Sequence, residues 1–289
     1  MTLSVHHPAS VAAAIALANE LGEGARFLAG GTDLVVQMSK RRAAPAHLID
    51  LGGLAELGGI EEQPDAFVLG ALVTHKRIEL LPAFHGALRA LPEAARVVGG
   101  HQIRNRGTVG GNIVNASPAA DVVAPLLALD AEVTLSGSEG PRTMPLDDFL
   151  LGPGRTARQP DEVLTSVRFA KLPAASATSF LKAGRRRAME ISVACVSARL
   201  TLDHGVCSDV GIALGAVGAR TLRARGAEQG LRGRELAPEH FREAGRIAAE
   251  NCAPISDVRA SAEYRRRLVA VLVDRALARC LARIGEARS

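Results

Sequence analysis

Apolar and polar positions recur along the chain with two periods, and the switches between them mark its elements. In "PASVAAAIALANEL" (8–21), Val11, Ile15 and Ala18 fall at helical spacing and Gly22 follows as a stop, which predicts a helix. "RFLAG" predicts a short strand. "TDLVVQMSK" begins with Thr32 and Asp33, side chains able to accept from the free amides of a helix start, and predicts a short helical segment. "HLIDL" (47–51) and "AFVLGA" (66–71) read as strands, "THKRIELL" (74–81) and "HGALRALPEAARVVG" (85–99) as helices. An apolar helical stretch, "DVVAPLLALDA" (121–131), precedes the strands "EVTLSG" and "EVLTSVRFA". Alternation of this kind indicates α/β layering.

Around "KLPAASAT" (171–178) small residues and proline suggest a boundary. Beyond it "TSFLKAG", "EISVACVSARLTLD" and "SDVGIALGAVGA" have the β-branched, alternating character of strands, and helical patterns then run to the end. Leu268, Leu272, Ala276, Cys280 and Ile284 fall four apart and form one apolar stripe. The expected organisation is a first domain over 1–173, with subdomains of about 1–52 and 53–173, and a sheet-then-helices domain over 174–289.

Composition narrows the function. A chain of 289 residues, 47% hydrophobic, can bury the cores of two domains. No apolar run reaches the roughly 18 residues of a membrane span, and "MTLSVHHPAS" lacks the layout of a secretory signal, so a cytoplasmic location is expected. Cys195, Cys207, Cys252 and Cys280 have no metal-ligand spacing and read as packed thiols. The net charge of +5 invites a nucleic-acid reading, but one tyrosine and no tryptophan leave no platform for stacking bases.

The candidate chemistry lies in two stretches with adjacent glycines, "FLAGGTDLVVQMSK" (27–40) and "RNRGTVGGNIVNASPAAD" (104–121). Paired glycines strip side chains from a connection so that amides can face a bulky anion, and a helix beginning there adds its own free amides. One such pair reads as a tight turn. Two, flanked by Thr32, Asp33, Thr108, Asn112, Asn115, Ser117 and Asp121, suit a diphosphate with sugar hydroxyls on either side. There is no P-loop sequence, and "GPGRTA" (152–157) has a proline inside and no apolar helix behind it, so it is set aside as a Rossmann fingerprint.

"LAGGTDL" and "IRNRGTVGGNIVNASPAAD", continued by "SFLKAGRRRAMEIS" and "ASAEYRRRLVAVLVDRAL", resemble the FAD-binding (medium) subunit of the molybdenum hydroxylases, the family of xanthine dehydrogenase and aerobic carbon monoxide dehydrogenase. The resemblance covers nearly the whole chain. It implies an α+β protein: an FAD-binding fold of the vanillyl-alcohol-oxidase (PCMH) type in two α/β subdomains, then a small β-sheet with a helical bundle. It implies that Ala29, Gly30, Gly31, Thr32, Asp33 and Leu34, with Leu28 close by, line the pyrophosphate of FAD on one side. Thr108, Gly110, Gly111, Asn112 and Asn115 would close it on the other, and Asp121 would reach ribose or ribityl hydroxyls. Leu164 and Lys182 match positions beside the isoalloxazine ring, where a cation would stabilise the reduced flavin.

"RVVGGHQIRN" departs from relatives that place an aromatic residue over the ring, since Val97 and Val98 are aliphatic; His101 stands as either a ring neighbour or a surface or capping residue. The resemblance further implies that this chain does not touch the organic substrate. A large molybdopterin-binding partner and a small partner with [2Fe-2S] clusters would supply electrons to FAD, in a complex that could itself dimerise, and no catalytic or metal-ligating residue is expected here. Two other readings stay open: a self-contained FAD-dependent reductase or oxidase, and a cofactor-free assembly module of the same fold.

Overall fold

The computed structural model describes residues 3–186 and 188–287. The first unit is a three-stranded parallel sheet in which His47–Asp50 lies between Ser4–His6 and Ala25–Leu28. Parallel neighbours need a crossover, and the predicted helix supplies one as Val11–Leu21. Ser10 caps it by accepting from Ala13 N, and Gly22, at φ +58°, ends it. Ala14 and Ala18 are buried on its inner face with Ile49, Leu51 and Leu54.

The second unit is a five-stranded sheet ordered Ile60–Glu62, Ala66–Gly70, Val163–Ala170, Glu132–Gly137, Gly140–Pro145. Every neighbouring pair is antiparallel, a strand direction that the alternating pattern by itself did not specify. The two outer strands, "IEE" and "GPRTMP", carry too little apolar alternation to announce themselves and exist as hairpin partners of stronger neighbours. One face of this sheet buries Phe67, Phe84 and Phe169, whose ring centroids lie 5.2 to 5.9 Å apart.

Two expected helices are shorter than their apolar runs. The 85–99 stretch is helical only over Ala90–Arg96, and the 121–131 stretch only over Val123–Ala128. In both, a proline is the third helical residue, Pro92 and Pro125. Proline is tolerated in the first turn, where its missing N–H has no partner to lose, and disfavoured deeper, so it sets the start. Val123–Ala128 is buried at every position and packs on the next unit, against Ala194–Asp203 and Val206–Gly215.

That third unit is an antiparallel sheet ordered Ser176–Ala183, Ala194–Asp203, Val206–Gly215, Leu222–Arg223, covered by the helices Pro238–Glu250 and Ala262–Glu286. The predicted stripe faces inward: Leu272, Ala276, Cys280 and Ile284 are buried and Leu268 is partly so. All four cysteines are free and buried, and burial raises the thiol pKa of each. Arg265 on the long helix is itself buried, donating to the carbonyls of Val193 and Ala216, each at 2.8 Å, and to Asp257. A buried guanidinium needs such acceptors, and although its Nε is left without one, the other two nitrogens tie the helix to two strand ends.

Candidate functional site

The first glycine turn leaves the strand Ala25–Leu28 and leads into the short helix Leu34–Ser39. Gly31 sits at φ +72°, a conformation that disfavours a side chain. Gly30 is constrained by contact instead: a Cβ there would lie 2.0 Å from the Arg106 carbonyl oxygen and 3.1 Å from Gly107 Cα. The backbone of the first turn therefore rests directly on the two residues preceding Thr108. Asp33 is the residue before the helix, but its side chain makes no capping bond, contrary to the expectation for "TDL".

The second glycine pair is not in a connection. Gly110 and Gly111 lie in the first turn of the helix Val109–Val114, and Thr108 is its cap, accepting from Gly111 N at 3.1 Å. The reason for glycine is again proximity, because a Cβ on Gly110 would come within 2.6 Å of Ala71 Cβ. Gly110 N also donates to the Ala71 carbonyl at 2.9 Å, fastening this turn to the five-stranded sheet.

The two turns share one cavity of about 770 Å³, in the upper part of the ~300–1,000 Å³ range of cofactor clefts. Leu28, Ala29, Gly30, Gly31, Thr32, Asp33 and Leu34 form part of its wall; Thr108, Gly110, Gly111, Asn112, Asn115, Asp121 and Leu164 form another. Lys182 is not on the wall. It stands behind Asp121, donating to Asp121 Oδ2 at 2.6 Å and to the Glu190 carbonyl at 2.9 Å. The Ser192 hydroxyl donates to the other carboxylate oxygen at 2.5 Å. Burial raises the Asp121 pKa above the ordinary carboxylate value, and Lys182 and Ser192 pull against that rise.

Several wall residues went unrecognised in the sequence. Gly99 and Gly100, a third adjacent pair in "RVVGGHQIRN", line the cavity with Val98 and Ile103, and Arg104 holds the Val98 and Gly99 carbonyls. His75, Arg26, Phe27 and Arg158 also line it. "GPGRTA" turns a hairpin between Leu150–Gly152 and Arg155–Thr156 and opens no helix, though Gly154 reaches the wall. His101 is exposed, outside the wall, and bonded to Asn105.

The arrangement suits a ligand with a diphosphate and hydroxyls. Glycines and small polar residues form much of the cavity wall, and the side-chain oxygen of Asn112, one of those residues, is buried without a donor. An orphaned acceptor of this kind costs about 1–3 kcal/mol unless a ligand hydroxyl or a water satisfies it. The residues present therefore fit FAD.

Fold and cleft together define an α+β protein with a dinucleotide-sized cleft between two backbone turns. Residues 1–172 match the family model described as "FAD binding domain in molybdopterin dehydrogenase", and residues 179–280 the one described as "CO dehydrogenase flavoprotein C-terminal domain". The chain belongs to the family of FAD-binding subunits of the molybdenum hydroxylases.

Among its relatives, the carbon monoxide dehydrogenase medium chain of Hydrogenophaga pseudoflava is 34% identical over 279 residues, 95% of this chain and 97% of that one. The xanthine dehydrogenase FAD-binding subunit of Escherichia coli O157:H7 is 32% identical over 284 residues, 98% and 97% of the two chains. A solved structure of carbon monoxide dehydrogenase from Hydrogenophaga pseudoflava, lacking the Mo-pyranopterin moiety of the molybdenum cofactor, superposes with a TM-score of 0.94 at 34% identity, covering 98% of each chain.

Proposed function

We propose that this chain is the flavoprotein subunit of a heterotrimeric-type molybdenum hydroxylase. The observation that carries the reading is the seating of Gly30 on Arg106 and Gly107, which brings two stretches, far apart in sequence, to one dinucleotide-sized cavity. In this reading Leu28 to Leu34 hold the diphosphate on one side; Thr108, Gly110, Gly111, Asn112 and Asn115 hold it on the other. Asp121 accepts from a sugar or ribityl hydroxyl, Leu164 walls the ring, and Lys182 orients Asp121 and sets the charge of that end of the site. Bound FAD supplies the electron-transfer chemistry, between [2Fe-2S] clusters of a partner and an external acceptor. The chain itself contributes binding, orientation and exclusion of water.

The division into domains at about residue 173 and the three-subunit composition are part of the same proposal, as are dimerisation of the complex and a cytoplasmic location. No helix among the described residues is long and apolar enough to cross a membrane. Apolar surface supports a partner: Met189 and Ile191 at the cavity rim are 63% and 53% exposed, and Arg185 holds the carbonyl of Val258, itself 90% exposed.

Native mass spectrometry of the complex purified through a tag on this chain tests the reading. A larger and a smaller polypeptide are expected to accompany it, with molybdenum and iron-sulfur cofactors in those two. A lone chain that turns over an organic substrate unaided would overturn it.

A further inference from the structure

His75 lines the cavity beside the two glycine turns. It begins the helix His75–Leu80, directly after the cap Thr74, and only 2% of its surface is exposed. Its backbone N–H is committed to the Gly107 carbonyl at 3.0 Å, which fixes where the ring stands. A Cβ on Gly107 would lie 3.1 Å from the ring's Cδ2 and 3.4 Å from Thr32 Oγ1. The imidazole thus lies beside the contact that joins the two glycine turns, facing Thr32 across Gly107.

Two facts about the ring need explaining together. Nδ1 is buried without a hydrogen-bond partner, a state that native proteins rarely leave unresolved. Burial, helped by the charge of Arg104, also pushes the imidazole pKa down to about 4, so the ring is neutral near pH 7, with one nitrogen donating and the other accepting. A neutral ring can still donate to an anion, and it does so without the cost of burying another cation beside Arg104.

We propose that His75 is a ligand of the FAD diphosphate, a neutral hydrogen-bond donor set between the two glycine turns and completing the clamp that they form. The inference rests on the FAD reading of the cavity. Arg104, whose Nε pairs with Glu79 at 3.2 Å, is tied to that carboxylate and to the Val98 and Gly99 carbonyls, whereas His75 Nδ1 has no partner. An amide at position 75 retains an N–H: asparagine brings it to the reach of Nδ1, glutamine to that of Nε2.

The test uses the full chain, stripped of flavin and titrated with FAD. His75→Leu is expected to weaken FAD binding by at least about tenfold, the scale of one hydrogen bond to a charged acceptor. It should also move the 31P resonances of bound FAD, and either His75→Asn or His75→Gln should recover most of the affinity. Should the leucine variant fail to fold, [15N]histidine spectra of the unmodified chain serve instead, with one ring's nitrogen resonances shifting when FAD is added. Wild-type affinity and an unchanged 31P spectrum in His75→Leu, or no histidine ring responding to FAD, would overturn the proposal. An unmodified chain that refuses FAD would sink the cofactor reading itself, so the two failures are distinguishable.

Discussion

Gly30→Ala is expected to open the cleft and to cost at least about a hundredfold in FAD affinity. A methyl group at this position would lie 2.0 Å from the Arg106 carbonyl oxygen, and the obstacle is backbone, so no side chain can swing aside. Either the first turn lifts off Gly107 or the helix beginning at Val109 shifts away, and that helix is pinned by Val109 N and Gly110 N to the carbonyls of Val73 and Ala71. Forcing such a shift in a packed region costs on the order of 3 kcal/mol, and the loss falls on the closed geometry that FAD requires. Gly53→Ala is the control, since a Cβ there has nothing within 4 Å, and it should bind FAD as the unmodified chain does. Fluorescence titration of the apo-protein reads both. Equal affinity in the two variants would mean that the contact between the turns does not shape the site.

Lys182→Met is expected to have the second large effect, on stability first and flavin binding with it. Lys182 and Asp121 have side chains only 13% and 8% exposed and form an ion pair at 2.6 Å. Removing one member of a buried pair leaves the other uncompensated, at a cost of about 3–5 kcal/mol. For a chain of this size that is a drop of roughly 6–12 °C or more in melting temperature. The Asp121 pKa would then rise further, because burial already raises it and the opposing cation is gone. Adding Asp121→Asn removes the stranded charge and should restore part of the melting temperature. A single variant that melts with the unmodified chain, or a double variant no better than the single, would show the pair to be energetically idle.

Much of the candidate cavity wall was legible in the sequence because its signals are local. Adjacent glycines beside Thr32 and Asp33, and again beside Thr108 and Asn112, mark a backbone approach wherever the fold brings them. What sequence could not supply was the reason for each glycine. Gly30 answers to Arg106 and Gly110 to Ala71, both contacts across the fold, and Gly110 lies inside a helix where a turn had been expected.

Lys182 illustrates the same limit. Its strand was readable, but its partners, Asp121, Glu190 and Val97, come from three other segments that only tertiary structure gathers. His75 and the Gly99–Gly100 pair were passed over for a related reason. A histidine opening a short amphipathic helix has no periodic signature of a ligand, and "VVGGHQIRN" drew attention through an absent aromatic residue more than through its glycines.

For the fold, strong apolar periodicity predicted Val11–Leu21, His47–Asp50 and the long C-terminal helix well. Weak periodicity concealed Ile60–Glu62, Gly140–Pro145 and the polar helix His101–Arg106, whose existence depends on neighbours.

The most direct test of the whole account is the identity and amount of flavin released when the purified native chain is denatured. One FAD per chain is the expected result, with the flavin rebinding to refolded or gently stripped protein. Release of FMN, or a colourless protein that takes up no added FAD, would contradict it.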